Sequence, residues 1–365
     1  MTPLRLLETV CSLSLQVTLL VSAAALLGRY ACRSDRARDQ LWTASFVALL
    51  LLCCGDLALP HLRLLPVPAS VVAPAMGMQV AEHAGLLAWL AVVWCAGTTL
   101  LLSRLALGIV RAWLLLRRAS AISPRDLPQP WGERDVMRAS GEEPGGEMAI
   151  RFLKTADVLT PFCWQWHRPV IVLPESVLTF SGEEIAAVIR HELAHLSFAH
   201  PLSLFVQRLA EAALWFHPAV WWAVRQASAA REFACDTRAA RSSSEAAALV
   251  RSLLSLAEFD NRRVRSNLAS SATGESPTIL AARAKKLSRF PSVGSVEGPL
   301  HVRFLFLSIA CATMLFLWVT MDVSASTRSL WSPWPTWSAR VLRSVGITAR
   351  DYEIDGHRLR LHTPH

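Results

Sequence analysis

Ser181 to His195 reads SGEEIAAVIRHELAH and closes on His191-Glu192-Leu193-Ala194-His195, an H-E-x-x-H motif. Side chains four apart share a helix face, so both imidazoles can reach one metal ion. Glu192, one step round from His191, can hold a water bound to that ion. The stretch also carries the signals that make it a helix. Ser181 is placed to cap the N-terminus, and Glu184, three residues on, completes a capping box. Glu183 and Glu184 fall in the first turn, where the helix dipole favours negative charge. Ile185, Val188 and Ile189 form an apolar stripe that would bury the helix. A chance match to the motif has odds on the order of one in a hundred, and the competing reading is a surface helix with scattered His and Glu.

The surroundings are not those of a soluble enzyme. The 365 residues are 53% hydrophobic and only 18% charged, with mean hydropathy +0.34. The excess is concentrated in runs. Val10–Leu27, Leu41–Leu59, Leu86–Ser103 and Phe304–Met321 are each long enough to cross a hydrocarbon core. The first run could be a cleaved signal peptide, but its positive charge lies after it, at Arg29, Arg33, Arg36 and Arg38, the reverse of a signal peptide. An uncleaved anchor with its N-terminus outside is the expectation. The arginine-rich first loop is then cytoplasmic by the positive-inside rule, and the second, with Arg63 as its only Lys or Arg, is outside. The long third loop is flanked by Arg111, Arg117 and Arg118 and by Arg283, Lys285, Lys286 and Arg289, which makes it cytoplasmic, and it holds the motif.

The net charge of +9 could suggest nucleic acid, but basic residues flanking membrane helices and touching anionic lipid account for it. No zinc-finger or helix-turn-helix spacing is evident, so no direct nucleic-acid contact is expected. None of the eight cysteines forms C-x-x-C, which argues against a disulfide framework. Asp56 and Arg104, near the ends of their runs, read as charges snorkelling to the interface.

Between the third run and the motif, residues 124–147 read as a Pro-, Gly- and Glu-rich loop. Met148–Leu153 and Val170–Leu173 read as strands, the second entered through Pro169, with an aromatic-rich connection over 160–168. A small sheet ahead of the metal helix offers an edge for an extended peptide. Beyond His195 a break at His200-Pro201, a helix to Phe216, a break at His217-Pro218 and a helix over Ala219–Arg241 are expected. Residues 265–277 read as flexible, and Thr278–Phe290 as a basic amphipathic helix. Past the fourth run, Trp331, Trp334 and Trp337 suggest an interfacial belt. Around Asp355-Gly356 the alternation of Tyr352–Leu361 signals a hairpin.

A catalytic zinc usually takes three protein ligands and keeps one position for water. His200, His217 and Glu232 are candidates for the third. The surroundings of Glu232, rich in Ala with Phe233 and Cys235, read as a mostly buried helix, which favours a ligand over a solvated carboxylate. Asp236, four residues on, could accept a hydrogen bond from the far nitrogen of a ligating histidine.

HELAH, His217-Pro218-Ala219-Val220-Trp221 and Arg231-Glu232-Phe233-Ala234-Cys235-Asp236 together resemble the BlaR/MecR-type membrane zinc metallopeptidases. Thr160-Pro161, Leu173-Pro174 and the four-span layout are similar to that family too. HtpX-type membrane peptidases share the two-motif site, with Ala in place of Cys235. The resemblance implies a mainly α membrane protein with a cytoplasmic zincin-like α+β peptidase domain. It implies one zinc ion on His191, His195 and Glu232, with Glu192 as catalytic base and Asp236 behind the ligands. The expected layout is residues 1–118 for three spans, 119–290 for the peptidase, 291–323 for the fourth span and 324–365 for an extracytoplasmic tail. The expected substrate is a cytoplasmic protein, such as a transcriptional repressor, with self-cleavage and homodimerisation left open, in a bacterial inner membrane. The chain departs from the resemblance in two ways. The residues after Met321 contain no Ser-x-x-Lys, so β-lactam sensing by acylation is not expected. Many relatives carry Arg-x-Asp after the second histidine, where this chain has Phe198-Ala199-His200. Tyr30 and Tyr352 lie outside the expected domain, leaving the ion, His200, His217 or Arg231 to stabilise an oxyanion. The alternative to a peptidase is a non-catalytic membrane signalling scaffold that keeps the metal-binding fold.

Overall fold

The computed structural model describes residues 3–58, 65–66, 84–123, 127, 150–165, 168–266, 277–289, 319–320 and 336–347. Three long apolar helices come first: α1 (Pro3–Tyr30), α2 (Asp35–Ala58) and α3 (Ala84–Arg118). Each contains a stretch long and apolar enough to cross a membrane, at Val10–Tyr30, Asp35–Asp56 and Trp89–Arg118. The hairpin about Asp355-Gly356 lies outside the described residues, as do the 124–147 loop apart from the buried Leu127 and the fourth expected run apart from Val319–Thr320, an extended pair lying parallel to Leu65–Pro66. Ser34 caps α2, its Oγ accepting from the Ala37 amide at 3.1 Å. At 35 residues α3 is about 52 Å long, well beyond the ~30 Å hydrocarbon core. Its apolar surface is bare: Trp89, Leu90, Leu100 and Leu107 are all exposed.

A four-stranded sheet follows, β1 (Ser120–Ile122), β2 (Arg151–Thr155), β3 (Phe162–Gln165) and β4 (Pro169–Pro174), in the order β1-β2-β4-β3. β2 and β4 are parallel, with Phe152 opposite Ile171, and the outer pairs are antiparallel. β4 reads PVIVLP and is buried along its whole length, as a strand covered on both faces should be. Phe152, Ile171 and Leu173 face the helix α4 (Gly182–Ser197), meeting Ile185, Val188 and Ile189. Leu153, Val170 and Val172 face the other way, onto Leu115 and Leu116 at the end of α3. The sheet is thus clamped between the motif helix and the end of the long apolar helix α3. The sequence anticipates β4 and the middle of the sheet, but β2 begins three residues later than expected. β1 and β3 are additional, β3 arising inside the aromatic connection.

α5 (His200–Ala213), α6 (Pro218–Ala239), α7 (Ser243–Ser266), α8 (Pro277–Leu287) and α9 (Thr336–Ser344) complete the described helices. Pro201 and Pro218 sit in the first turn of α5 and α6, where a missing N–H costs nothing. α6 packs against α1 and α2 through Val220, Ala223 and Ala227 on Leu20, Leu41 and Leu49, one continuous core. α7 and α8 close on α4 through Leu249, Leu253 and Leu287 around Ala187.

Candidate metal centre

The capping box expected of α4 is present. Ser181 Oγ accepts from the Glu184 amide and the Glu184 carboxylate accepts from the Ser181 amide. From that start α4 runs with its apolar stripe on the sheet and presents His191 and His195 along the flank of that stripe, toward α6. Their Nε2 atoms lie 3.1 Å apart. α6 crosses α4 and brings Glu232 to them, with Oε2 3.3 Å from His191 Nε2 and Oε1 3.7 Å from His195 Nε2. These three side chains offer donor atoms all within 4.8 Å of one another. Asp236, one turn further along α6, puts Oδ1 3.1 Å from His191 Nδ1, the side away from Glu232. Glu192 is buried beside them, 7% exposed.

His200 and His217, the other candidates for a third ligand, are placed elsewhere. His200 stands behind His195, Nδ1 to Nδ1 at 2.9 Å. His217 is at the far end of α6, donating from Nε2 to the Ser14 carbonyl of α1 at 3.2 Å. Arg231 donates to Gln207 Oε1 at 2.8 Å. The residue that sequence reasoning missed is Arg283 on α8. It was grouped with the basic residues flanking the membrane, yet its side chain is 4% exposed. It donates to both Asp236 oxygens at 2.8 and 2.7 Å and lies 3.1 Å from Glu232 Oε2. Its position in the loose Arg-Ala-Lys-Lys run gave no signal of this.

The electrostatics suit a cation. Burial opposes a charge on His191, as does Arg283, but the Asp236 and Glu232 carboxylates prevail and lift it to about 10. The same two carboxylates would attract a divalent ion, which must displace that proton to bind. Burial drives His195 well below its ordinary value, keeping it in the neutral form that coordinates metals. Burial also raises Glu192, to about 7, with Glu232 adding to the rise and His191 and Arg283 opposing it. Against the cost of burial, the charged His191 and Arg283 hold Glu232 well below the carboxylate range. Two imidazoles and a carboxylate, with a carboxylate behind one imidazole, are a donor set that fits catalytic zinc.

A cavity of about 710 Å³ is walled by α3 at Arg104 and Gly108, by β3 at Cys163 and Trp164, and by α5 at Pro201 and Phe205, and none of the three candidate ligands lines it. β3 is an outer strand of the sheet, and the side of it away from β4 has no strand partner among the described residues.

The departure at Phe198-Ala199-His200 has a counterpart here. Arg36 and Asp39, both on α2, stand against these residues. The Arg36 guanidinium lies 3.7 Å from the Phe198 ring centre and Asp39 Oδ2 lies 3.1 Å from His200 Nε2.

A family model described as BlaR1 peptidase M56 matches residues 66–285, more than half of the chain and the whole of the site. Over 79 residues the chain is 32% identical to the regulatory protein BlaR1 of Bacillus licheniformis. That segment is 22% of this chain and spans only 13% of the relative's length.

Proposed function

The chain belongs to the BlaR1 peptidase M56 family, and on that premise we propose that it is an integral membrane zinc metalloendopeptidase. His191, His195 and Glu232 would hold one zinc ion, which lowers the pKa of its bound water and polarises the scissile carbonyl. Glu192 takes the proton from the attacking water as the new C–O bond forms, then delivers it to the amine as the C–N bond breaks. Asp236 fixes the ring of His191, and Arg283 holds Asp236 and Glu232 in place. An extended substrate segment lies along the open side of β3, its backbone pairing with the strand. The observation that carries the reading is Glu232, 41 residues beyond His191, meeting both motif imidazoles.

We also read the substrate as a cytoplasmic protein, with a transcriptional repressor the leading class. The peptidase unit is placed at residues 119–290, between the third span and a fourth at 291–323. Orientation has a structural support. Asp35, Arg36 and Asp39, from the arginine-rich end of the α1–α2 hairpin, touch the elements that build the centre. The centre therefore lies at the end of the spans that the positive-inside rule assigns to the cytoplasm.

The test is to purify the full chain, measure bound zinc, and compare it with Glu192→Gln when each is co-expressed with a tagged candidate partner of the cytoplasmic repressor class. The variant is expected to retain one zinc per chain and to leave both the partner and itself uncut. Full proteolysis by Glu192→Gln, or wild-type protein with no stoichiometric zinc, would overturn the mechanism.

A further inference from the structure

We propose that His200 and Asp39 form a hydrogen-bonded relay that positions His195, so that the membrane helix α2 sets the geometry of the metal centre. The inference rests on the reading of His191, His195 and Glu232 as ligands. His195 turns Nε2 toward His191 and Glu232. With that nitrogen's lone pair given to a cation, the ring proton must sit on Nδ1. Nδ1 lies 2.9 Å from His200 Nδ1, which must then accept. His200 therefore carries its own proton on Nε2, and that atom is 3.1 Å from Asp39 Oδ2, a carboxylate that only accepts. Each assignment follows from the one before, and the run of donors ends on a charge. Asp39 is 3% exposed, and its Oδ2 also receives Arg36 Nη1 at 2.6 Å.

The relay joins residues 161 positions apart in sequence. It also has a companion. One turn earlier on α2, Asp35 accepts from Thr237 of α6 at 3.0 Å and pairs with Lys286 of α8. Thr237 adjoins Asp236, and Lys286 is one turn from Arg283. The first turn of α2 thus touches every helix that bears on the centre except α4, which it reaches through His200. A tilt of α2 moves Asp39, swings His200 and rotates the His195 ring. His200 and Asp39 are positioning residues and touch no substrate.

The same atoms admit a rival arrangement, since His195, His200 and Cys235 could themselves hold an ion. In that case the Nδ1 atoms would be ligands, the relay would not exist, and the protein would bind a second metal.

The experiment uses the full chain in lipid nanodiscs. Zinc affinity is measured by competition with a chelator, and the visible spectrum is recorded with cobalt(II) in place of zinc. Asp39→Ala and His200→Leu are each expected to weaken binding about 10- to 100-fold and to shift the cobalt bands. The double variant should lose little more than either single one, because both break the same chain. His200→Gln, whose amide can accept and donate, should recover most of the loss. Should Asp39→Ala fail to fold, Asp39→Asn keeps the shape and an acceptor, and a several-fold loss with a shifted cobalt spectrum is expected of it. Wild-type affinity and an unchanged spectrum in all these variants would overturn the relay while leaving the centre intact. Additive losses with no recovery by Gln, or two ions per wild-type chain, would overturn it too. A wild-type protein that binds no metal would overturn the ligand reading itself.

Discussion

Ala199 separates the motif helix from His200, and it is a non-glycine residue with a positive φ, 53°. A side chain in the left-handed region costs about 1–2 kcal/mol, and here it turns the chain so that His200 comes back beside His195. Ala199→Gly relieves that strain at the expense of a freer unfolded chain, so a net gain of about 0.5–1 kcal/mol is expected by thermal melting. Glu192 supplies a second prediction. Its carboxyl is raised to about 7 without an ion, and an adjacent cation favours the ionised base and lowers it. The base works deprotonated, so kcat/KM should fall as pH drops through a single acid limb with its midpoint at or below about 7. A flat profile from pH 5 to 8 would contradict the role. At this scale the sequence was legible wherever helical spacing sets geometry: His191 with His195, and Glu232 with Asp236. It offered His200 only as a third ligand or an oxyanion stabiliser, and was mute on Asp39 and Arg283, which reach the centre from distant segments.

Among elements, α8 shows how composition can mislead. Arg283, Lys285 and Lys286 look like one basic run at a membrane edge, and helical geometry sends them to different places. Arg283 enters the centre while Lys286 stands over the Phe233 ring and reaches Asp35. Arg283→Ala takes the guanidinium from the buried Asp236 and the half-buried Glu232, a loss of about 3–5 kcal/mol. Arg283→Lys should restore little of it, because a single ammonium cannot reproduce the forked contact with Asp236. Denaturant titration of the detergent-solubilised chain measures both. The strands teach a related lesson. β4 announced itself as an unbroken apolar run, whereas β1 and β3, three and four residues long, are too short to show a period. They exist because the β2–β4 pair offers them free edges. At Gly97 on α3 the close neighbour is the Trp215 indole, 2.5 Å from where a Cβ would stand. Gly97→Val should pry α3 from the α5–α6 connection at about 1–3 kcal/mol, read as a lower melting temperature.

At the scale of the molecule, the sequence divides into apolar spans and a polar loop between them, and that division conceals how the two are joined. The bend from Leu214 to His217 meets Ser14 of α1 and Trp94 of α3, each inside a stretch able to cross a membrane. At its other end α5 starts at His200, beside Asp39 near the head of α2. Fourteen residues of helix cover about 21 Å, most of a ~30 Å hydrocarbon layer. With the three apolar helices set across a bilayer, the α5–α6 pair that packs alongside them becomes a keel among the acyl chains and not a unit slung beneath them. A nitroxide placed on Trp221→Cys, with the other cysteines replaced, should be relaxed by oxygen dissolved in the oil and ignored by a nickel chelate confined to water. A keel that carries Arg208 and Glu211 must also draw water and headgroups down around it. The bilayer would then be thinnest where the blade is, and thickening it with longer-chain lipids becomes a dial on catalysis that no substitution in the protein can turn.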